Sequence, residues 1–197
     1  MAAAGQIIRN TVTGAAVALA LATAALAGPV TDKAAEAETA ISSGDYLAGL
    51  AAGQDILAQV WDATPGILFL ETLPVTEPAA GFGLYNPRPD AVYKSGEPII
   101  LYAEPVGFGY GTGGEGLYTV GFSVDLQVLD EAGQELANVQ DVTELNLTSR
   151  YKNREFQANL TYNLDGIAAG KYRLVTTLRD KNSAKIGSFE TAIEITG

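Results

Sequence analysis

Two stretches of this chain alternate apolar and polar residues with a period of two. In LYTVGFSVDLQVLD, Val120, Phe122, Val124, Leu126 and Val128 fall on one side, and Thr119, Ser123, Asp125 and Gln127 on the other. FQANLTYNLD sets Phe156, Ala158, Leu160 and Tyr162 against Gln157, Asn159, Thr161 and Asn163. Successive side chains of a strand point to opposite faces, so both stretches predict strands with one buried face and one solvated face. That one-sided burial belongs to antiparallel sheets, which narrows the fold more than any other feature of the sequence.

Shorter strands are predicted at ILFLETLPV, at IILYAE (Ile99 to Glu104), over one or two segments between Glu135 and Ser149, and at KYRLVTTLRD and SFETAIEIT. TEPAA, GFGLYNPRPDAVYKSGEP, DEAG and KNSAKIG separate them as turn-rich connections. Six to eight short strands joined by turns predict a mainly β fold, an antiparallel Greek-key sandwich. LDGIAAGKYRL adds a local marker. Tyr172 opens a strand just after an Ala-Gly turn, the position of a tyrosine corner, whose phenol bonds back to upstream backbone.

Ahead of the strands, TDKAAEAETAISSGDYLAGLAAGQDILAQVWDATPG has helical spacing. Ala34, Ala37 and Ile41 recur on one turn pattern; SSGD breaks it; Tyr46, Leu50, Leu57 and Trp61 resume it until Thr64-Pro65-Gly66. GDYLAGLAAGQDIL resembles the second helix of a tetratricopeptide repeat. Such repeats need about three copies to bury a shared core, and a single copy predicts a plain helical hairpin packed on its own domain.

The first twenty-seven residues indicate a compartment. MAAAGQIIRN carries Arg9 and no acid, TVTGAAVALALATA is apolar, and Ala25 to Ala27 supplies a small-x-small site before Gly28. This is the order of a secretory signal peptide, cleaved after Ala27; the run is short and Ala-rich for a spanning helix. The predicted organisation is therefore 1–27 signal peptide, 28–66 helical hairpin, 67–90 a strand with a Pro/Gly-rich connection, and 91–197 the sandwich. The expected location is periplasmic or secreted, with no membrane insertion after cleavage.

Charge and missing residue types narrow the function. Without Arg9, eleven Lys and Arg face twenty-three acids, a net charge of −12. That sign opposes phosphate backbones and anionic membrane surfaces, so no nucleic acid is expected as a partner. The chain has no Cys and no His, which removes disulfides, Ser-His and Cys-His nucleophile pairs and the usual zinc ligands. No cofactor is expected.

VYKSGEPIILYAEP and GKYRLVTTLRDKNSAKIGSFETAIEI resemble the immunoglobulin-like (fibronectin-III-like) domains of uncharacterised secreted bacterial proteins. Those domains open with an aromatic, a Gly-Glu turn and a strand, and close with Gly-x-Tyr, a strand ending in Asp, a Ser/Lys turn and a final strand holding a Phe. The resemblance covers about residues 91 to 195. It implies an immunoglobulin-like sandwich and says little of function, since sandwiches host many unrelated roles.

GYGTGG (Gly109 to Gly114) has the spacing of a dinucleotide fingerprint. Those glycines bind pyrophosphate only where they join a strand to a helix, and the following EGLYTVGFSVDLQV is strand-like, which argues against a dinucleotide. Two readings of PVGFGYGTGGEG stay open. It is a connection whose aromatics fold onto the core, or a recognition loop presenting Phe108, Tyr110 and Thr112. GTGG together with NPRP at Asn86 to Pro89 also resembles the loops of chagasin-type protease inhibitors, although the remaining inhibitor motif is missing.

Other chemistry is sparse. Glu97, Glu104, Asp125 and Asp130 near strand ends would suit glycoside hydrolysis only if two stood at the right separation. Asn163 to Gly166 offers oxygen ligands but no calcium loop, Ser183 and Lys185 flank a turn, and two sequons begin at Asn146 and Asn159. Arg150, Lys152 and Arg154 in SRYKNREF form the one basic patch, placed at a hairpin tip or edge. The expectation is an exported non-catalytic binding or scaffolding module of the bacterial periplasm, its partner another envelope protein. The alternatives are a carboxylate-based glycan-acting enzyme or carbohydrate-binding unit and, more remotely, a secreted protease inhibitor.

Overall fold

In the computed structural model, residues 28–197 are described; the proposed signal peptide and its cleavage site lie almost wholly outside them. Two helices come first, α1 (Pro29–Ser42) and α2 (Tyr46–Ala63). Pro29 opens α1 where a missing N–H costs nothing, and Asp45 caps α2 by accepting from Ala48 N–H at 3.1 Å. Gly44, at φ 80°, makes the reversal between them. Gly49 and Ala52 are buried along the seam of the hairpin.

Nine strands follow: β1 (Leu68–Pro74), β2 (Val92–Lys94), β3 (Ile99–Val106), β4 (Gly111–Thr112), β5 (Tyr118–Asp130), β6 (Glu135–Ser149), β7 (Ala158–Tyr162), β8 (Gly170–Asp180) and β9 (Ile186–Thr196). One sheet has the order β1-β3-β7; the other has β2-β9-β8-β5-β4, with β6 on the far side of β5. The chain is thus mainly β, with two helices ahead of a sheet-rich body. Both sheets feed one core, in which Leu101, Ala103 and Leu160 of the small sheet meet Phe122, Leu174 and Leu178 of the large one. The alternating faces fall as expected: Val120 through Val128 on β5 and Phe156 through Tyr162 around β7 are buried.

The residues from Glu135 to Ser149 form one strand, within the one or two expected, while three local features go beyond or against the sequence expectation. That strand is bent by a bulge where Asp141 adopts φ 54°. Asp125 Oδ1 accepts from Asp141 N–H at 2.9 Å, and Arg179 bonds both carboxylates, so the bulge is pinned. β2, inside a stretch that reads as irregular, pairs with β9 in parallel. A three-residue strand carries too few positions to show a period. The basic SRYKNREF segment is the crossing from β6 to β7, which lie in different sheets, and so is not a hairpin tip.

The hairpin meets the body at its end. Among the described residues, Trp61 is the one helical residue buried in the main core, and α1 buries no residue. The period of 3.6 locates both helices correctly, but the apolar face it marks is turned largely to solvent.

Candidate functional site

The glycine loop sits where the end of α2, both sheets and the basic segment meet. Phe108 is 0% exposed. Its ring packs edge-on against Trp61 (4.9 Å between centroids), Phe122 (5.5 Å) and Phe156 (6.0 Å). Its carbonyl accepts from Trp61 Nε1–H at 2.7 Å. A connection that returns such an aromatic to the core gains apolar burial and ring contacts together. Phe108 therefore offers no surface for recognition, while its neighbours remain at the rim.

Gly109 N–H donates to Asp180 Oδ2 at 2.6 Å. Asp180 is buried and also accepts from Ser183 Oγ and from Asn182 N–H, which satisfies its charge internally. Gly107 has φ 81°, and a Cβ there would run into Thr64 Oγ1; a Cβ on Gly111 would run into Asn182 Oδ1. These glycines are required by close packing against the α2 terminus and the β8–β9 turn. After Gly109 the chain enters β4 and pairs with Tyr118 and Thr119 of β5, so strand follows the glycines.

Tyr110 links the loop to the basic segment. Its hydroxyl donates to the Asn153 carbonyl at 2.9 Å, and its ring lies 5.5 Å from Phe108. Burial pushes the phenol up to about 12 against the opposing pull of Arg154, so it stays protonated at neutral pH. Lys152 Nζ stands 5.5 Å from the Tyr110 ring centre and 5.6 Å from that of Tyr118. Arg154 reaches back to the Gln54 carbonyl in α2 at 3.3 Å. Thr112 and Arg150 are exposed beside this cluster. The two groups of candidate residues are thus neighbours, a relation invisible in sequence because more than thirty positions separate them.

Lys185 holds the same junction from the other side. Its ammonium donates to the Gly107 carbonyl at 2.7 Å, to Thr64 Oγ1 at 3.2 Å, and to the Trp61 and Asp62 carbonyls at 3.3 Å each. These include carbonyls of the last turn of α2, which lack the i+4 partner of the helix interior and lie where a cation also meets the negative end of the helix dipole. Sequence places Lys185 only as a turn residue. The Ser183 hydroxyl faces Asp180, and the Lys185 side chain points away to α2.

The carboxylates singled out in sequence each hold a structural partner. Glu97 Oε1 pairs with Arg88 at 2.8 Å, and the Lys94 N–H with this guanidinium lowers its pKa. Glu104 accepts from Tyr102 OH at 2.7 Å, Asp125 pairs with Arg179 at 2.9 Å, and Asp130 accepts from Gln134 N–H. Arg88 of NPRP, held by Glu97 and by the Val92 carbonyl, stacks 4.2 Å from the Tyr93 ring centre. Among the described residues no three acidic side chains converge as a metal site would require. Tyr172 OH donates to the Ala168 carbonyl at 2.8 Å, the upstream bond expected of a tyrosine corner.

Two open pockets of about 560 and 540 Å³ are each lined by residues of β6 together with residues at or beside β7. Leu145, Leu147 and Phe156 floor the first; Val139, Val142 and Tyr162 floor the second. Glu144 and Glu155 also line the first, and Asp165 the second; Glu144 is paired with Lys181. No protein-family model matches the chain, and no curated protein matches it.

Proposed function

We propose that this protein is an exported, non-catalytic binding or scaffolding module of the bacterial envelope, built on an immunoglobulin-like Greek-key sandwich. The observation that supports it most is the locked rim at the end of the body. Trp61, Asp180 and Lys185 fix the backbone from Gly107 to Gly109; Tyr110 follows, anchored on the Asn153 carbonyl, with Tyr118, Lys152 and the exposed Thr112 at the same rim. A rigid rim of amphipathic aromatics with a cation beside them loses little conformational entropy on binding. The acidic side chains that a hydrolase would use are engaged in bonds that hold strands and turns, which favours a binding role over a glycan-acting one. The small sheet, the large sheet and the Tyr172–Ala168 bond are compatible with the immunoglobulin-like assignment.

The envelope reading rests on the leader-like residues 1–27. Intact mass of the protein from the envelope fraction should begin at Gly28; a chain retaining Met1 to Ala27 there refutes export with cleavage. The binding reading is tested by Tyr110→Ser/Lys152→Glu. Capture of an envelope partner by the wild-type protein should be lost with an unchanged melting temperature, and capture equal to wild type refutes the rim as the contact.

A further inference from the structure

Among the described residues, α2 carries an apolar stripe that is left exposed. Tyr46, Leu50, Gly53, Leu57 and Val60 follow one another at spacings of four, three, four and three, the seven-residue repeat of a helix that packs on another helix. All are exposed: Tyr46 is 68% exposed and Leu50 66%, and Leu47 beside them is 81% exposed. Single exposed leucines are ordinary, but a continuous stripe along about 20 Å of helix is not. A Cβ built on Gly53 would meet nothing within 4 Å, so the middle of the stripe is open to close backbone approach. α1 packs on another side of α2, where Gly49 faces Ala37, Ala40 and Ile41.

Charge selects the occupant. From Gly28 to Gly66 the hairpin holds Asp32, Glu36, Glu38, Asp45, Asp55 and Asp62 against Lys33 alone. Lys33 is already shared by Glu36 at 2.7 Å and Asp55 at 3.5 Å. A second copy of the hairpin would bring the same excess of acid to the interface, and an anionic membrane surface would be repelled. An apolar stripe on a strongly acidic hairpin is complementary to a helix with leucine-like anchors flanked by Lys and Arg. We infer that the exposed face of α2 docks a cationic amphipathic helix of a partner protein. This rests on the reading of the protein as a binding module and names the partner's chemistry.

The test uses the full chain and a fluorescein-labelled three-heptad peptide with Leu at both core positions and Lys at both flanking positions. Its comparison has Glu in place of each Lys. Fluorescence anisotropy should show the Lys peptide binding, and the Glu peptide binding about ten-fold more weakly or worse. Leu50→Gln/Leu57→Gln should weaken the Lys peptide by about ten-fold or more, with far-UV circular dichroism unchanged. If that variant loses helix, Leu50→Gln alone carries the same comparison. Equal binding of the two peptides, no binding of either, or an unchanged affinity for the variant overturns the inference. So does sedimentation of the wild type as a dimer that Leu50→Gln/Leu57→Gln dissociates, which makes a second copy the occupant. Cross-links from position 57 to residues 1–27 that exclude the peptide assign the face to the leader and overturn it as well. Peptide binding depends neither on export nor on Tyr110 and Lys152, so its failure is distinguishable from failure of the proposed function.

Discussion

Replacing Lys185 by Met keeps most of the side chain's length and removes its charge and donors. In the native protein the ammonium has acceptors at 2.7, 3.2, 3.3 and 3.3 Å, more than its three hydrogens can serve at once. The carbonyls of Trp61, Asp62 and Gly107 lose that donor in the variant. Each hydrogen bond to a charged group contributes about 1.5–3 kcal/mol, and a cation at a helix C-terminus adds a few tenths to about 2. Lys185 is only half-buried, so water replaces part of the loss, leaving a net cost of about 2 kcal/mol. For a body of this size that lowers Tm by about 4–8 °C. Differential scanning calorimetry measures it, and Lys181→Met is the comparison. Lys181 pairs with an exposed Glu144 at 2.5 Å, and a surface pair contributes about 0–1 kcal/mol. Hydrogen exchange adds a local readout, since amides in the last turn of α2 should lose protection. A Lys185→Met protein melting within about 1 °C of wild type would refute the role of Lys185 as the clamp between hairpin and body.

Phe108→Ala empties a fully buried site bordered by four aromatic rings and should cost about 3–5 kcal/mol in urea unfolding; a loss below about 1 kcal/mol would show the loop repacking freely. Tyr172→Phe removes the bond to the Ala168 carbonyl and should cost about 1 kcal/mol, read as a lower urea midpoint at constant slope. The Arg179 hydrogen bond holds Asp125 below its ordinary value, with help from the Asp141 N–H and against the desolvation of the carboxyl. A depressed carboxyl stabilises the fold above its unfolded pKa and loses that contribution as pH falls through the lower folded one. Stability should therefore drop as pH falls below about 4, and Asp125→Asn should flatten that limb; an unchanged acid limb would remove Asp125 from the account.

Much of the fold is legible because one-sided burial imposes a rule on every residue of a strand. The period of β5 and β7 follows from alternation alone, and Tyr172 follows from the turn before it. The parallel partner of β2 is hidden because Val92–Lys94 meets β9 a hundred residues later. The bulge at Asp141 is hidden because nothing local marks Asp for a positive φ there, whereas the Arg179 bond that favours it is distant. The site was half visible. Sequence picks out Phe108, Tyr110 and the basic segment by type, but the fate of each depends on who reaches it. Phe108 goes inward because Trp61 offers it both a ring and an N–H, and Tyr110 stays at the rim because Asn153 accepts its hydroxyl.

The division of labour within the hairpin follows from the same energetics. A two-helix unit with no buried residue in α1 is marginal alone, since short helices owe most of their stability to packing. Its attachment lies mostly at one end, in Trp61, Thr64 and the Lys185 clamp, with one exposed bond from Arg154 to the Gln54 carbonyl midway, while Tyr46 and Leu50 at the other end face solvent. Opening free energy should therefore fall along α2 from its anchored end to its free end, as local stability follows local burial. A partner covering the free end would supply what the body supplies at Trp61. Protection gained on binding should be largest around Tyr46 to Gly53 and smallest near Trp61, where the body already excludes water.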